Sequence, residues 1–263
     1  MTTTFQLSIA AHRNDLSCSS LLSGLPIKAP LNESTFLSAI PPKEGQVRVR
    51  RLIHRGAPRP VSKFLSVTLG REVHCESSLE IDAALILDAC PTVSSFGEQA
   101  VTLHFFDGNV WRWHIPDFVV AAGGVREFIE IKFQRDIDAE VRERTQLLVR
   151  LLWPFGYGYR LLTEETIRTG VALKNARSLL VRGREEVPPL WALCTREKIR
   201  KGGPLTLGAL GWNDPGKPEG SWIARLIIRG ALSTDLNMAL SSDSTVGLPS
   251  SSRKESQLWQ LEA

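Results

Sequence analysis

The apolar positions change period along the chain, and the changes mark out its elements. Over residues 75–88, Leu79, Ala83, Ile86 and Leu87 recur at three- and four-residue spacing, which predicts a helix. Ser77, three residues before Glu80, makes a capping box for its start. Three strand-like runs come next, at 100–106, 110–120 and 125–133, separated by Asp107-Gly108-Asn109 and Gly123-Gly124, so a three-strand meander is expected. Residues 136–152 return to helical spacing, with Ile137, Val141, Leu147, Leu148, Leu151 and Leu152 apolar, and 157–162 read as a strand. Helix, meander, helix, strand in under ninety residues predicts one sheet with helices on its faces.

The flanks read differently. Residues 1–45 hold no clear period and are broken by Pro26, Pro30, Pro41 and Pro42, so an irregular N-terminal arm is expected. Residues 46–54 alternate basic and apolar residues, as a strand with one wet face would, until Pro58 and Pro60, and strand-like residues recur over 63–74. Past Glu165 the chain reads helical to about Leu180. Then come a helix at 190–201, a short segment at 205–210, a Gly/Pro loop, a helix at 221–230 and a possible hairpin at 231–238. Three short helices and a hairpin are the parts of a winged helix. The Ser-rich stretch 239–263 is expected to be disordered.

Composition narrows the class. Of 263 residues 43% are hydrophobic, enough for a real core, with no run of eighteen apolar residues and no secretory layout at the N-terminus. The expectation is a cytoplasmic protein with no membrane segment. Four scattered cysteines form no Cys-x-x-Cys pair, which argues against a zinc ribbon or a disulfide framework. The net charge of +4 is unevenly spread. Residues 1–60 carry eight Lys/Arg against three Asp/Glu, 61–159 nine against fourteen, and 160–263 fifteen against eleven. Basic flanks around an acidic centre suit a chain that grips a polyanion at its ends and holds metal in its middle.

The candidate chemistry lies in that centre. Asp117 closes one strand and Glu130 lies on its hairpin partner, so the two carboxylates can converge. Lys132, two positions on, shares the face of Glu130. Two carboxylates and an ammonium suit Mg²⁺, a hard cation that takes one or two carboxylates and completes its shell with water and phosphate. The carbonyl of Ile131 is a further candidate ligand. Glu80, on the preceding helix, is a third carboxylate or a group that orients water, although it is equally explained as a cap; Glu76 and Asp82 are its alternatives. The expected chemistry is metal-activated hydrolysis of a phosphodiester, with Lys132 steadying the attacking hydroxide or the developing charge. Arg48, Arg50, Arg51, Arg55 and Arg59 are candidates for phosphate contact, Gln99 for a loop or DNA contact, and Arg225 with Arg229, at i and i+4, for the face of a recognition helix. His74, His104 and His114 show no metal-ligand spacing and receive no role.

The run from Glu76 to Glu80, Gln99, Pro116-Asp117-Phe118 and Ile129-Glu130-Ile131-Lys132 together resemble the restriction-endonuclease-like nucleases. More narrowly, they resemble the TnsA-type transposon endonucleases over about residues 46–165. The resemblance implies an α/β restriction-endonuclease-like core over 46–165 and a winged-helix-like, all-α/small-β domain over 166–238. It also implies Glu80, Asp117, Glu130 and Lys132 as catalytic, Mg²⁺ (or Mn²⁺) as cofactor, and DNA at transposon ends as substrate. Implied partners are a DDE-type transposase subunit (TnsB-like) and an AAA+ ATPase regulator (TnsC-like), the latter contacted through the C-terminal domain. The rival expectations are a stand-alone restriction or repair endonuclease and a catalytically idle adaptor that binds DNA or protein.

Overall fold

The computed structural model describes residues 18–30, 36–50, 62–214 and 216–249, a mixed α/β structure built on several sheets. Its strands and helices, in chain order, are α1 (Cys18–Leu21), β1 (Leu37–Ile40), β2 (Ser62–Leu65), β3 (Glu72–Cys75), α2 (Ser78–Ala89), β4 (Val93–Glu98), β5 (Thr102–Phe106), β6 (Trp111–His114), β7 (Phe118–Ala122), β8 (Val125–Ile131), α3 (Ala139–Leu152), β9 (Tyr157–Leu162), α4 (Glu164–Arg168), α5 (Ala172–Arg182), α6 (Pro189–Gly202), β10 (Leu205–Thr206), α7 (Glu219–Ile228), β11 (Ser233–Thr234) and β12 (Thr245–Gly247).

The central sheet has the order β4-β7-β8-β9, antiparallel except for the parallel β8–β9 pair. The hairpin of β7 and β8 turns through Gly123 and Gly124, both at positive φ (57° and 87°), a two-residue turn that a side chain would strain. The parallel step from β8 to β9 needs a crossover, and α3 supplies it; Asp138 caps α3 by accepting the Val141 N–H at 2.8 Å. All five residues of β7 are buried, because both faces of the sheet are covered. On one face Phe118, Val120, Ile129 and Ile131 meet Leu79, Ala83 and Leu87 of α2. On the other Val119, Ala121 and Phe128 meet Leu148 and Leu152 of α3 and Leu21 and Leu22.

Several expectations need correction. The run 110–120 is not one strand of a meander. It divides at Pro116, which has no N–H to donate to a ladder, and its two halves join different sheets. β6 pairs with β5 in a sheet of order β1-β5-β6, and β7 pairs with β4, a strand with no clear apolar period. The N-terminal arm is not wholly irregular: β1 is a paired strand, and Leu21, Leu22 and Leu25 lie in the core. Residues 46–50 form no strand, and 51–54 lie outside the described residues. The predicted helix at 75–88 starts at Ser78, since Cys75 ends β3.

The hairpin at 231–238 is also absent. β11 pairs instead with β12, beyond the expected end of the fold, and Val246 of β12 is fully buried, so 239–249 belong to the structure rather than to a disordered tail. The C-terminal elements run α6, β10, a short 3-10 turn, α7, β11 and β12, with sheet order β10-β12-β11. One core cluster links α2, α5 and α7 across the boundary expected at 165/166. Among the described residues no helix is long and apolar enough to cross a membrane.

Candidate active site

Pro116 sets the site. The chain leaves β6, cannot hydrogen-bond through Pro116, and enters β7 with Asp117 at its mouth. The β7–β8 register places Phe118 opposite Ile129, so continuing the ladder one step outward sets Asp117 opposite Glu130 on one face. Asp117 Oδ2 accepts the backbone N–H of Ile131 at 2.7 Å. Its carbonyl accepts the Gln99 N–H at 2.9 Å, and Gln99 holds the left-handed φ of 45° that lets β4 end there. Alternation along β8 brings Lys132 back to Glu130, Nζ to Oε1 at 2.9 Å. The Lys132 N–H reaches the Leu162 carbonyl at 3.1 Å and prolongs the pairing with β9.

Glu130 is only 2% exposed, so its charge needs partners. Two of them carry no signal in the sequence. His114 Nε2 lies 2.9 Å from Glu130 Oε2 and 3.0 Å from the Tyr159 hydroxyl, and Arg144 lies 3.7 Å from Oε1. Isolated at the end of β6, His114 offers no spacing signal; the chain crossing at Pro116 brings it to a partner sixteen residues away.

The charges are arranged unequally. Burial raises the Asp117 carboxyl well above the usual range, and the neighbouring Glu130 and Glu80 charges raise it further. Burial also opposes ionisation of Glu130, but the hydrogen bond and charge of His114, with Lys132, hold its carboxyl below the usual range. Burial works against the Lys132 ammonium, and Glu130 outweighs it, so Lys132 is raised and stays charged.

Glu80 belongs to this field without joining the pair. It performs the cap, with Ser77 Oγ accepting the Glu80 N–H at 3.1 Å and Glu80 Oε2 accepting the Glu76 N–H at 2.8 Å, while burial raises its carboxyl. The two alternatives are engaged elsewhere. Glu76 pairs with Arg50 at 3.0 Å, and buried Asp82 takes Arg168 and Arg177 at 2.7 and 2.6 Å, tying α2 to α4 and α5.

The donor set is of the type Mg²⁺ prefers: hard carboxylate oxygens at the ends of the two central strands, with mutual repulsion that a divalent cation would relieve. Asp117 and Glu130 are the two groups that fit. Among the described residues no cluster of three or more His, Cys, Asp or Glu side chains is set to hold a metal ion.

The arginines proposed for DNA are largely occupied. Arg48 binds Glu98 at 2.8 Å, and Arg71 grips the same carboxylate through both its oxygens at 2.8 Å; Glu98 is 1% exposed. Arg48 thus neutralises a buried acid instead of facing phosphate. Gln99 is buried, and its carbonyl accepts the Val49 N–H at 2.9 Å, so it holds residues 46–50 beside the site. α7 is buried throughout 223–228 and presents no recognition face. Arg225 is 9% exposed and bonds Glu186 and the Gly183 carbonyl, and Arg229 also bonds Glu186, at 3.1 Å. Arg51, Arg55 and Arg59 lie outside the described residues.

No protein-family model matches the chain, and no curated protein matches it.

Proposed function

We propose that the chain is a metal-dependent DNA endonuclease whose hydrolytic site is Asp117, Glu130 and Lys132. The observation that carries the reading is the placement of two carboxylates opposite each other on paired strands, with a charged lysine bonded to one of them. Divalent metal, held by Asp117 and Glu130, would supply Lewis-acid activation of the phosphate and of a water. The chain's own residues do the rest. Lys132 offers its remaining N–H groups to an attacking oxygen or to developing negative charge, and His114 and Arg144 keep Glu130 ionised and oriented. Glu80 is close enough to act on Asp117 electrostatically, and its role is to fix the start of α2.

The order α2, β4, β7, β8, α3, β9 supports a restriction-endonuclease-like core, with β5 and β6 as an inserted hairpin. The C-terminal order and its β10-β12-β11 sheet support a winged-helix-like unit. With α7 buried, that unit suits protein contact better than groove reading. By the resemblance to TnsA-type endonucleases, the substrate is a transposon end, cut at its 5′ side beside a DDE-type transposase, with an AAA+ ATPase as regulator.

One observation favours the adaptor instead: both oxygens of Glu130 are already bonded, by Lys132 and His114. Mapping the cut separates the readings. The protein, mixed with a DDE-type transposase of the TnsB-like class and with DNA carrying that transposase's ends in Mg²⁺, is expected to nick the 5′ end. Cutting away from the ends without a partner would favour a stand-alone nuclease, and no cutting by the reconstituted pair would favour the adaptor.

A further inference from the structure

The outward face of the β1-β5-β6 sheet is aromatic. Leu103 and Phe105 of β5 point into the core, which turns His104 and Phe106 outward, and the register sets Trp113 opposite His104 and Trp111 opposite Phe106. Trp113 is 66% exposed and Trp111 38%. The Phe106 ring lies 5.4 Å from Trp111 and 6.5 Å from the half-exposed Phe36. Large aromatic groups gathered on a solvated surface mark a binding surface more often than chance exposure. This one runs to the edge of the sheet, because β6 is its last strand, and the next residue of that strand, His114, bonds Glu130.

We propose that this face is a stacking platform for unpaired nucleobases, so that the substrate of the Asp117–Glu130 site is DNA with a single-stranded or opened segment beside the scissile phosphate. The inference rests on the nuclease reading and names its substrate class. Three observations select nucleobases. Same-face neighbours on a strand are ~6.6 Å apart, about twice the 3.4 Å step of a nucleic-acid strand, so the Trp111–Trp113 interval matches one base set between two rings. The outward side chains around them, Ile40, Thr102, His104 and Phe106, include no carboxylate. Nearby Asp107 has its charge taken by Arg112 and by the Asn109 and Val110 N–H groups. At the His114 end of the strand Lys132, about one third exposed, offers a cation to the backbone of the same strand of DNA. Aromatic stacking is tolerant of sequence, which suits a subunit whose specificity comes from elsewhere.

The test uses the full chain with a short labelled oligothymidylate and a labelled duplex of equal length, without divalent metal, read by fluorescence anisotropy. Trp113→Ala is expected to weaken oligothymidylate binding by roughly 5- to 150-fold, Trp113→Phe to restore most of it, and duplex binding to change by less than about twofold. Trp113 is mostly solvated, so its removal leaves the fold intact, which thermal unfolding checks. Unchanged oligothymidylate affinity, or an equal loss for duplex, would overturn the proposal. So would a concentration-dependent dimer that Trp113→Ala dissolves, since the occupant would then be a second copy of the chain. The binding measurement contains no divalent metal and no cleavage step, so a failure of the nuclease reading would show in cleavage by the wild-type chain and leave this binding result untouched.

Discussion

Asp117 accepts the backbone N–H of Ile131 at 2.7 Å, so the mouth of β7 is fastened to the end of β8 by the same carboxylate that faces Glu130. The bond fixes a charge where charge is unfavourable. Burial and the Glu130 and Glu80 carboxylates raise the Asp117 carboxyl well above its usual range. A raised folded-state pKa stabilises the fold below the ordinary aspartate range and loses that contribution as pH rises through the folded value.

Asp117→Asn is therefore expected to stabilise the metal-free protein at neutral pH. Its amide oxygen can still accept the Ile131 N–H, and the repulsion is gone. A gain of about 1 kcal/mol, or roughly 2–4 °C in Tm, is expected and should vanish toward pH 4. Thermal unfolding in a chelator checks this; a lower Tm at every pH would show that repulsion is not the dominant effect at Asp117.

Glu130→Gln should act in the opposite direction. The Glu130 carboxyl is lowered, so its contribution is present above the usual glutamate range and is lost as pH falls through the folded value. Removing the charge leaves Lys132 and His114 without their acid. The cost is about 2 kcal/mol, below that of a fully buried pair because Lys132 keeps one side in water. Denaturant unfolding at neutral pH measures it, and a neutral substitution would mean the ion cluster does not hold the site.

Glu98 should matter more to stability than either site residue. Its 1% exposed carboxylate joins Arg48 to Arg71, and Gln99 beside it bonds Asp117. Glu98→Gln leaves two cations facing a low-dielectric interior, at about 3 kcal/mol and 6–12 °C in Tm. Arg48→Ala is expected to share much of that loss. A wild-type melting curve for both variants would contradict it.

Arg225→Ala separates packing from DNA contact. With Arg225 turned onto Gly183 and Glu186, the variant should lose about 2 kcal/mol of stability while the slope of log affinity against log salt stays constant. A slope reduced by about one would return Arg225 to the DNA surface.

Much of this was legible in the chain, for identifiable reasons. Ser77 and Glu80 announced α2 because caps are local, and Glu130 with Lys132 announced a shared face because strand alternation is local. The strand expected at 157–162 matches β9 at both ends. What escaped depends on distant partners. β4 carries Ser95 and Glu98 into the interior, and its polarity is satisfied by Arg48 and Arg71, so it does not look like a strand. Serines around Val246 hide β12, whose single buried side chain carries no period. The inward turn of Arg225 shows only once α5 is packed against α7.

Asp117 is the residue on which the proposed hydrolytic metal site depends most. The most direct measurement is cleavage of end-containing DNA by the reconstituted protein and transposase in Mg²⁺, wild type beside Asp117→Asn, a variant expected to fold at least as well. Mg²⁺-dependent cutting that falls by at least about a hundredfold in the variant is expected. Equal cutting by the two proteins would remove Asp117 from the hydrolytic site.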